Sequence, residues 1–149
     1  MSKRLSAALN HTAACLPARS AAYFWLFCVW FIVLWLLSSG SPSIKQVGEI
    51  PYLDKIVHFT YFFIGGALLA MAVGLKWPLL SRKKLFFWVI LICAIIGRLD
   101  EYHQGFVPGR SGNDTSDWLA DIIGGLGGCA FILWCLLPRF PLNQGGKRG

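Results

Sequence analysis

The stretch Asp54–Leu75, DKIVHFTYFFIGGALLAMAVGL, decides the fold. From Phe59 to Leu75 it carries no charged residue, and Ile56–Leu75 is about 20 residues long, the length a helix needs to cross the roughly 30 Å hydrocarbon core of a bilayer. It begins with Asp54, Lys55 and His58, three ionisable groups at the mouth of an apolar run. Working outward, three more apolar runs follow the same plan: Ala21–Leu37, Leu85–Gly97 and Trp118–Leu137. The first and last are long enough to cross. Leu85–Gly97 is shorter, about 13 residues or about 20 Å of helix. A crossing there draws Arg98, Asp100 and Glu101 into or against the membrane, which is costly unless they face a polar interior.

Composition agrees with a membrane protein. Hydrophobic residues make up 56% of the 149 and charged residues 14%, against about 25% charged in soluble domains. Seven Trp and eleven Phe fall largely at the ends of apolar runs, where aromatic rings anchor at headgroup level. The length suits one domain. The expected fold is all-α: a polytopic membrane protein built as a compact bundle of four transmembrane helices over residues 21–137, between an N-terminal tail 1–20 and a C-terminal tail 138–149. Ser38–Pro51 reads as an exposed loop and Gly145–Gly149 as a frayed end. Cleavage of the first run as a signal peptide is not expected, because the run is long for one and its small-residue site is imperfect.

Charge orients the chain. The net charge of +7 is carried by the tails (Lys3, Arg4, Arg19; Arg139, Lys147, Arg148) and by one loop (Lys76, Arg82, Lys83, Lys84). All seven acids lie in the other two loops and at the helix ends beside them, with Lys45, Lys55, Arg98 and Arg110. The positive-inside rule places both termini in the cytoplasm. The bases form no stripe interleaved with exposed aromatics, so nucleic acid is not expected as a partner; membrane lipids are. Cys15, Cys28, Cys93, Cys129 and Cys135 have neither metal-ligand nor redox spacing and read as small apolar packers.

The polar residues of the acidic side form the candidate site. Asp54 and His58, four apart, share a helix face continued by Tyr61 and Gly65, a proton-handling or ion-binding pair or simply a helix-start acid with its histidine. Glu101 and Gln104 share a face with Gly97, and Arg98 is within reach of Glu101 as an internal ion pair. Arg110 sits among turn formers where guanidinium and backbone amides would hold a phosphate or carboxylate, or else pairs with an acid. Asp117 suits a first-turn acid. Asp121 lies one turn deeper, where a carboxylate requires a partner. Ala120, Gly124 and Gly128, and likewise Gly66, Ala70 and Gly74, have small-xxx-small spacing and read as packing devices.

In order and spacing, Asp54-Lys55-x-x-His58, Glu101-x-x-Gln104, Pro108-Gly109-Arg110 and Asp117-x-x-x-Asp121 followed by Gly124 and Gly128 resemble the VanZ-like family of bacterial membrane proteins over about residues 50–137. Many members carry Asn at the position of Asp121. The resemblance implies a plasma-membrane protein of the bacterial cell envelope; the founding member is associated with teicoplanin resistance by a route that leaves the peptidoglycan precursor unchanged. Two functions follow. One is recognition of an anionic envelope component or a lipid-associated glycopeptide antibiotic by Arg110, Asp54, His58, Glu101, Gln104, Asp117 and Asp121. The other is a membrane-embedded enzyme on a lipid-linked envelope substrate, with Glu101 or Asp121 as general base, His58 as acid and Arg110 as charge stabiliser. No cofactor is expected and no metal site is assigned; a metal variant of the enzyme would use Asp54, His58, Glu101 and His103 for Mg or Mn. An ion pathway ranks last, because no chain of polar groups crosses toward the basic side.

Overall fold

The computed structural model describes residues 3–40, 52–110 and 112–139. Most of the expected Ser38–Pro51 loop and the Gly145–Gly149 end lie outside them. The described residues are all-α: α1 Lys3–Cys15, α2 Ser20–Ser38, α3 Leu53–Lys76, α4 Arg82–Gln104 and α5 Thr115–Phe131, which continues through a π-helical turn Ile132–Leu136 and a 3₁₀ turn Leu137–Arg139. Three stretches, Ser20–Ser38, Leu53–Lys76 and Thr115–Leu136, are long and apolar enough to cross a membrane. Four of the five helices, α2 to α5, cover the four expected runs, but three stretches, not four, are apolar enough to cross. At 23 residues α4 has the length, about 34 Å, but it carries basic residues at its start and Arg98, Asp100 and Glu101 near its end.

Three sequence expectations change here. The apolar run Leu85–Gly97 extends into a longer helix, because Asp100, Glu101 and Gln104 are buried rather than solvated and so continue the packed face where hydropathy alone ends it. The N-terminal tail contains α1, which packs against the turns that end α5. Ser38, read as the start of an exposed loop, is the last residue of α2 and is buried.

The core is assembled around α3 and α5, which run parallel, side by side. Glycine makes this possible. A Cβ on Gly66 would come within 2.5 Å of the Gly125 carbonyl oxygen, and Cβ atoms on Gly124 and Gly128 would strike the backbone of Phe59 and Phe63. Close backbone approach is the contact that small residues give membrane helices, where apolar burial between helices is worth little. Of the anticipated small-residue rows, Gly124, Gly128 and Gly66 form this seam together with Gly125, while Gly74 faces Leu85 and Leu137 instead.

The other helices pack antiparallel to this pair. In α2, Trp30 lies over Gly65 and donates its indole N–H to the Tyr61 carbonyl at 3.0 Å; Phe24, Trp25, Val29, Ile32 and Leu36 point outward. In α4, Cys93 lies against Gly125 and Gly97 against Asp121, and the Trp118 indole donates to the Ala94 carbonyl at 2.9 Å. Phe62, Leu69, Leu85, Val89 and Leu133 fill the centre. This arrangement brings the C-termini of α2 and α4 and the N-termini of α3 and α5 to one end. Every acidic residue of the described chain is at that end; Arg19, Lys76, Arg82, Lys83 and Lys84 are at the other.

Candidate functional site

Two helix starts and one helix end build the polar cluster. α5 is capped by Asp114, whose side chain accepts the Ser116 N–H at 2.7 Å; this bond holds the Asp114 carboxyl below the usual carboxylate range. The residues just before α3 and α5, Tyr52 and Asn113, have left-handed backbones at φ 64° and 70°. Asn tolerates that region; Tyr is rare there. Both conformations lie at the entry to helices that carry site residues, where stored backbone strain tends to gather. The loop from α4 to α5 is tied to Glu101 twice: its carbonyl accepts the Asn113 N–H at 3.2 Å and its Oε2 accepts the Asp114 N–H at 2.7 Å.

Around this frame the side chains meet in two layers. In the outer layer the Lys55 ammonium donates to Asp54 at 3.0 Å and Asp117 at 2.9 Å, with Asp114 at 3.9 Å. The Asp54 side chain is 57% exposed, whereas that of Asp117 is 11% exposed, so the layer grades from open to closed within a few ångströms. In the inner layer His58 donates Nδ1–H to Asp121 Oδ1 at 2.9 Å. Glu101 and Asp121 are both fully buried. One oxygen of each, Glu101 Oε1 and Asp121 Oδ2, has no hydrogen-bond partner among the described residues. Buried carboxylates normally saturate their lone pairs, so two open acceptors in one acidic cluster are exceptional. Ligand atoms of His58, Glu101 and Asp117 lie within 4.8 Å of one another.

The structure therefore joins His58, Glu101, Asp117 and Asp121, taken from three helices. It separates other expected pairs. His58 pairs with Asp121, not with Asp54, whose partner is Lys55. Arg98 is exposed on the outer face of α4 and makes no ion pair with Glu101 among the described residues. Gln104 donates to Asp100 Oδ2 at 2.8 Å, and the Ser38 hydroxyl donates to Asp100 Oδ1; these three form a second buried polar knot that fastens α2 to α4. Arg110 belongs to the same fastening, donating Nε–H to the Gly40 carbonyl at 3.1 Å and Nη2–H to the Leu37 carbonyl at 3.2 Å. It closes the C-terminus of α2, and its remaining donors are the ones left for an anion. His103 stacks on Trp35 and bonds Ser39, away from the ligand set proposed for it.

Sequence reading missed Asp100 and undervalued Lys55. The signal for Asp100 was its spacing of four from Gln104; the signal for Lys55 was its place in a helix start otherwise suited to acids. A family model described as VanZ/LLP1 matches residues 21–137. No curated protein and no solved structure matches the chain.

Proposed function

The chain belongs to the VanZ/LLP1 family, and from that premise we propose that it is an integral membrane protein of the bacterial envelope whose acidic cluster recognises the polar head of an envelope lipid or of a lipid-associated glycopeptide antibiotic. In this reading α2 to α5 all cross the bilayer, both termini are cytoplasmic and the cluster faces outward. The separation of bases and acids to opposite ends of the bundle supports that orientation through the positive-inside rule. α4 crosses because its acids turn inward to the cluster and its basic start lies at headgroup level.

One observation carries the recognition: Glu101 Oε1 and Asp121 Oδ2 are open acceptors at the closed end of a graded polar mouth in an otherwise apolar bundle. Among the described residues, the bases that pair with Asp54, Asp114, Asp117 and Asp121 are Lys55 and His58, and Glu101 pairs with neither. This balance selects a positive centre. An anionic head enters the cluster only if a cation accompanies it. The lipid tail of the ligand lies along the outward apolar face of the bundle.

The test is susceptibility to teicoplanin and vancomycin in a sensitive Gram-positive host. It compares wild type, Glu101→Gln and Asp117→Asn at matched membrane abundance. The reading expects raised tolerance to teicoplanin that either substitution abolishes. Unchanged susceptibility in all strains removes the antibiotic ligand, and unchanged binding of envelope lipids by the purified variants removes the site.

The His58–Asp121 pair favours a second reading. A carboxylate on Nδ1 fixes the tautomer and leaves Nε2 as a base, as an enzyme acting on a lipid-linked substrate would require. Product formed from envelope lipid by purified wild type, and not by His58→Gln, would favour that reading over simple recognition.

A further inference from the structure

We propose that His58, Glu101 and Asp117 bind one divalent first-row cation, Mn²⁺ or Zn²⁺, and that this ion is the positive centre through which the acidic cluster accepts an anionic head. The inference deepens the recognition reading above and rests on it only for the role of the ion, not for its binding.

Four observations converge. One ligand atom from each of the three residues lies within 4.8 Å of the others; a shell with bonds of about 2.1 Å has ligand–ligand edges of about 3.4 Å, so binding an ion requires the side chains to draw together. Glu101 is fully buried and its Oε1 has no partner, so an acceptor is already desolvated and waiting inside the cluster. Asp121 holds His58 by Nδ1 at 2.9 Å, leaving Nε2 for a metal. Carboxylate–histidine–metal is the usual outer-shell arrangement of such sites, because the carboxylate orients the ring and makes it a better donor. Finally, the Asp114 N–H holds Glu101 by Oε2 at 2.7 Å, orienting the second ligand in the same way.

The donor set narrows the ion. One imidazole and two carboxylates suit Mn²⁺ and Zn²⁺, whereas Mg²⁺ and Ca²⁺ prefer oxygen alone. Three protein ligands leave coordination positions open, where a phosphate or carboxylate of the ligand would bind. Lys55, bonded to Asp117 Oδ1, leaves Asp117 Oδ2 for the ion and offsets part of the cluster's negative charge.

The experiment uses the full chain in detergent or nanodiscs, stripped with chelator and then titrated with Mn²⁺ alone, followed by loss of the free-ion electron paramagnetic signal, and with Zn²⁺ in competition. One ion per chain is expected. Glu101→Gln and Asp117→Asn should weaken binding more than about tenfold, and Asp121→Ala by about ten- to a hundredfold, the range for outer-shell partners. Cys15→Ser, at an exposed thiol on the opposite end of the bundle, should leave it unchanged. Size-exclusion profile and helical circular dichroism identify any variant that fails to fold. Two results overturn the inference: no stoichiometric ion in folded wild type, or binding lost in Cys15→Ser and kept in Glu101→Gln. Absence of an ion with a teicoplanin phenotype that still depends on Glu101 sinks the metal and leaves the recognition site standing. A bound ion without any phenotype does the reverse.

Discussion

Glu101 accepts a backbone N–H on one carboxylate oxygen and leaves the other open in the interior. Glu101→Gln keeps the carbonyl that the Asp114 N–H needs and removes a buried charge, so the metal-free variant is expected to melt no lower than wild type in detergent. Glu101→Ala removes the acceptor and leaves that N–H unpaired, a loss of about 1–3 kcal/mol that should appear as a lower melting temperature by tryptophan fluorescence. Asp121→Asn retains an acceptor for the His58 Nδ1–H and should fold, consistent with the resemblance to a family in which Asn is common at this position. These residues were legible in the sequence as ionisable groups with no business in apolar runs. Their partners were not. Helical periodicity reports neighbours three and four apart on one helix, which is why Asp54 looked like the partner of His58; the real partner lies 63 residues away, across a seam that periodicity cannot see.

Helix α3 meets α5 through backbone, and helix α2 is held to α4 and its loop through polar groups at a single end. The two contacts should fail differently. Gly128→Leu forces a side chain into the Phe63 carbonyl and is expected to destabilise the fold by at least the roughly 1–3 kcal/mol of an overpacked core, lowering the melting temperature and disturbing the cluster with it. Gly127 is more forgiving, since a Cβ there would meet the Phe63 ring at 3.2 Å, an aromatic side chain that can turn slightly. Arg110→Ala frees the Leu37 and Gly40 carbonyls at a cost of about 1 kcal/mol or less. Faster amide exchange is expected in the last turn of α2, with α3 and α5 unaffected; slowed or unchanged exchange there would refute the fastening role. Small-xxx-small spacing announced the seam at Gly124 and Gly128, but Gly125 escaped notice because it is out of that register. The extent of α4 was hidden for a different reason: hydropathy treats Asp100, Glu101 and Gln104 as solvated, and burial against other polar groups is the one circumstance in which that inference reverses.

Across the whole molecule, charge is sorted by end. Cys15 is exposed at the basic end, so in intact cells a membrane-impermeant maleimide should leave it unmodified until the membrane is permeabilised; labelling from outside would invert the proposed orientation. Replacing Arg82, Lys83 and Lys84 with Gln is expected to yield a mixed population in the same assay, because the loop that fixes the topology would lose its bias. The antiparallel order of four helices was readable from apolar runs and basic loops. α1 was not, since Leu5, Leu9 and Leu16 make only a narrow apolar stripe in a short segment that opens on Lys3 and Arg4 and reads as a tail, and the helix docks against the turns after α5.

Apart from Asp54, which pairs with Lys55 on its own helix, the polar residues that α3 and α4 bring to the cluster find partners on or beside α5. The order of synthesis gives this a consequence for biogenesis. When α3 and α4 have left the ribosome, Lys55, His58 and Glu101 are in the membrane without Asp114, Asp117 and Asp121. A chain stalled or truncated before Asp114 thus displays His58 and Glu101 without their partners and Lys55 with Asp54 alone, polar groups that are costly in lipid. The last helix to arrive completes the site and also conceals the evidence that the chain was unfinished.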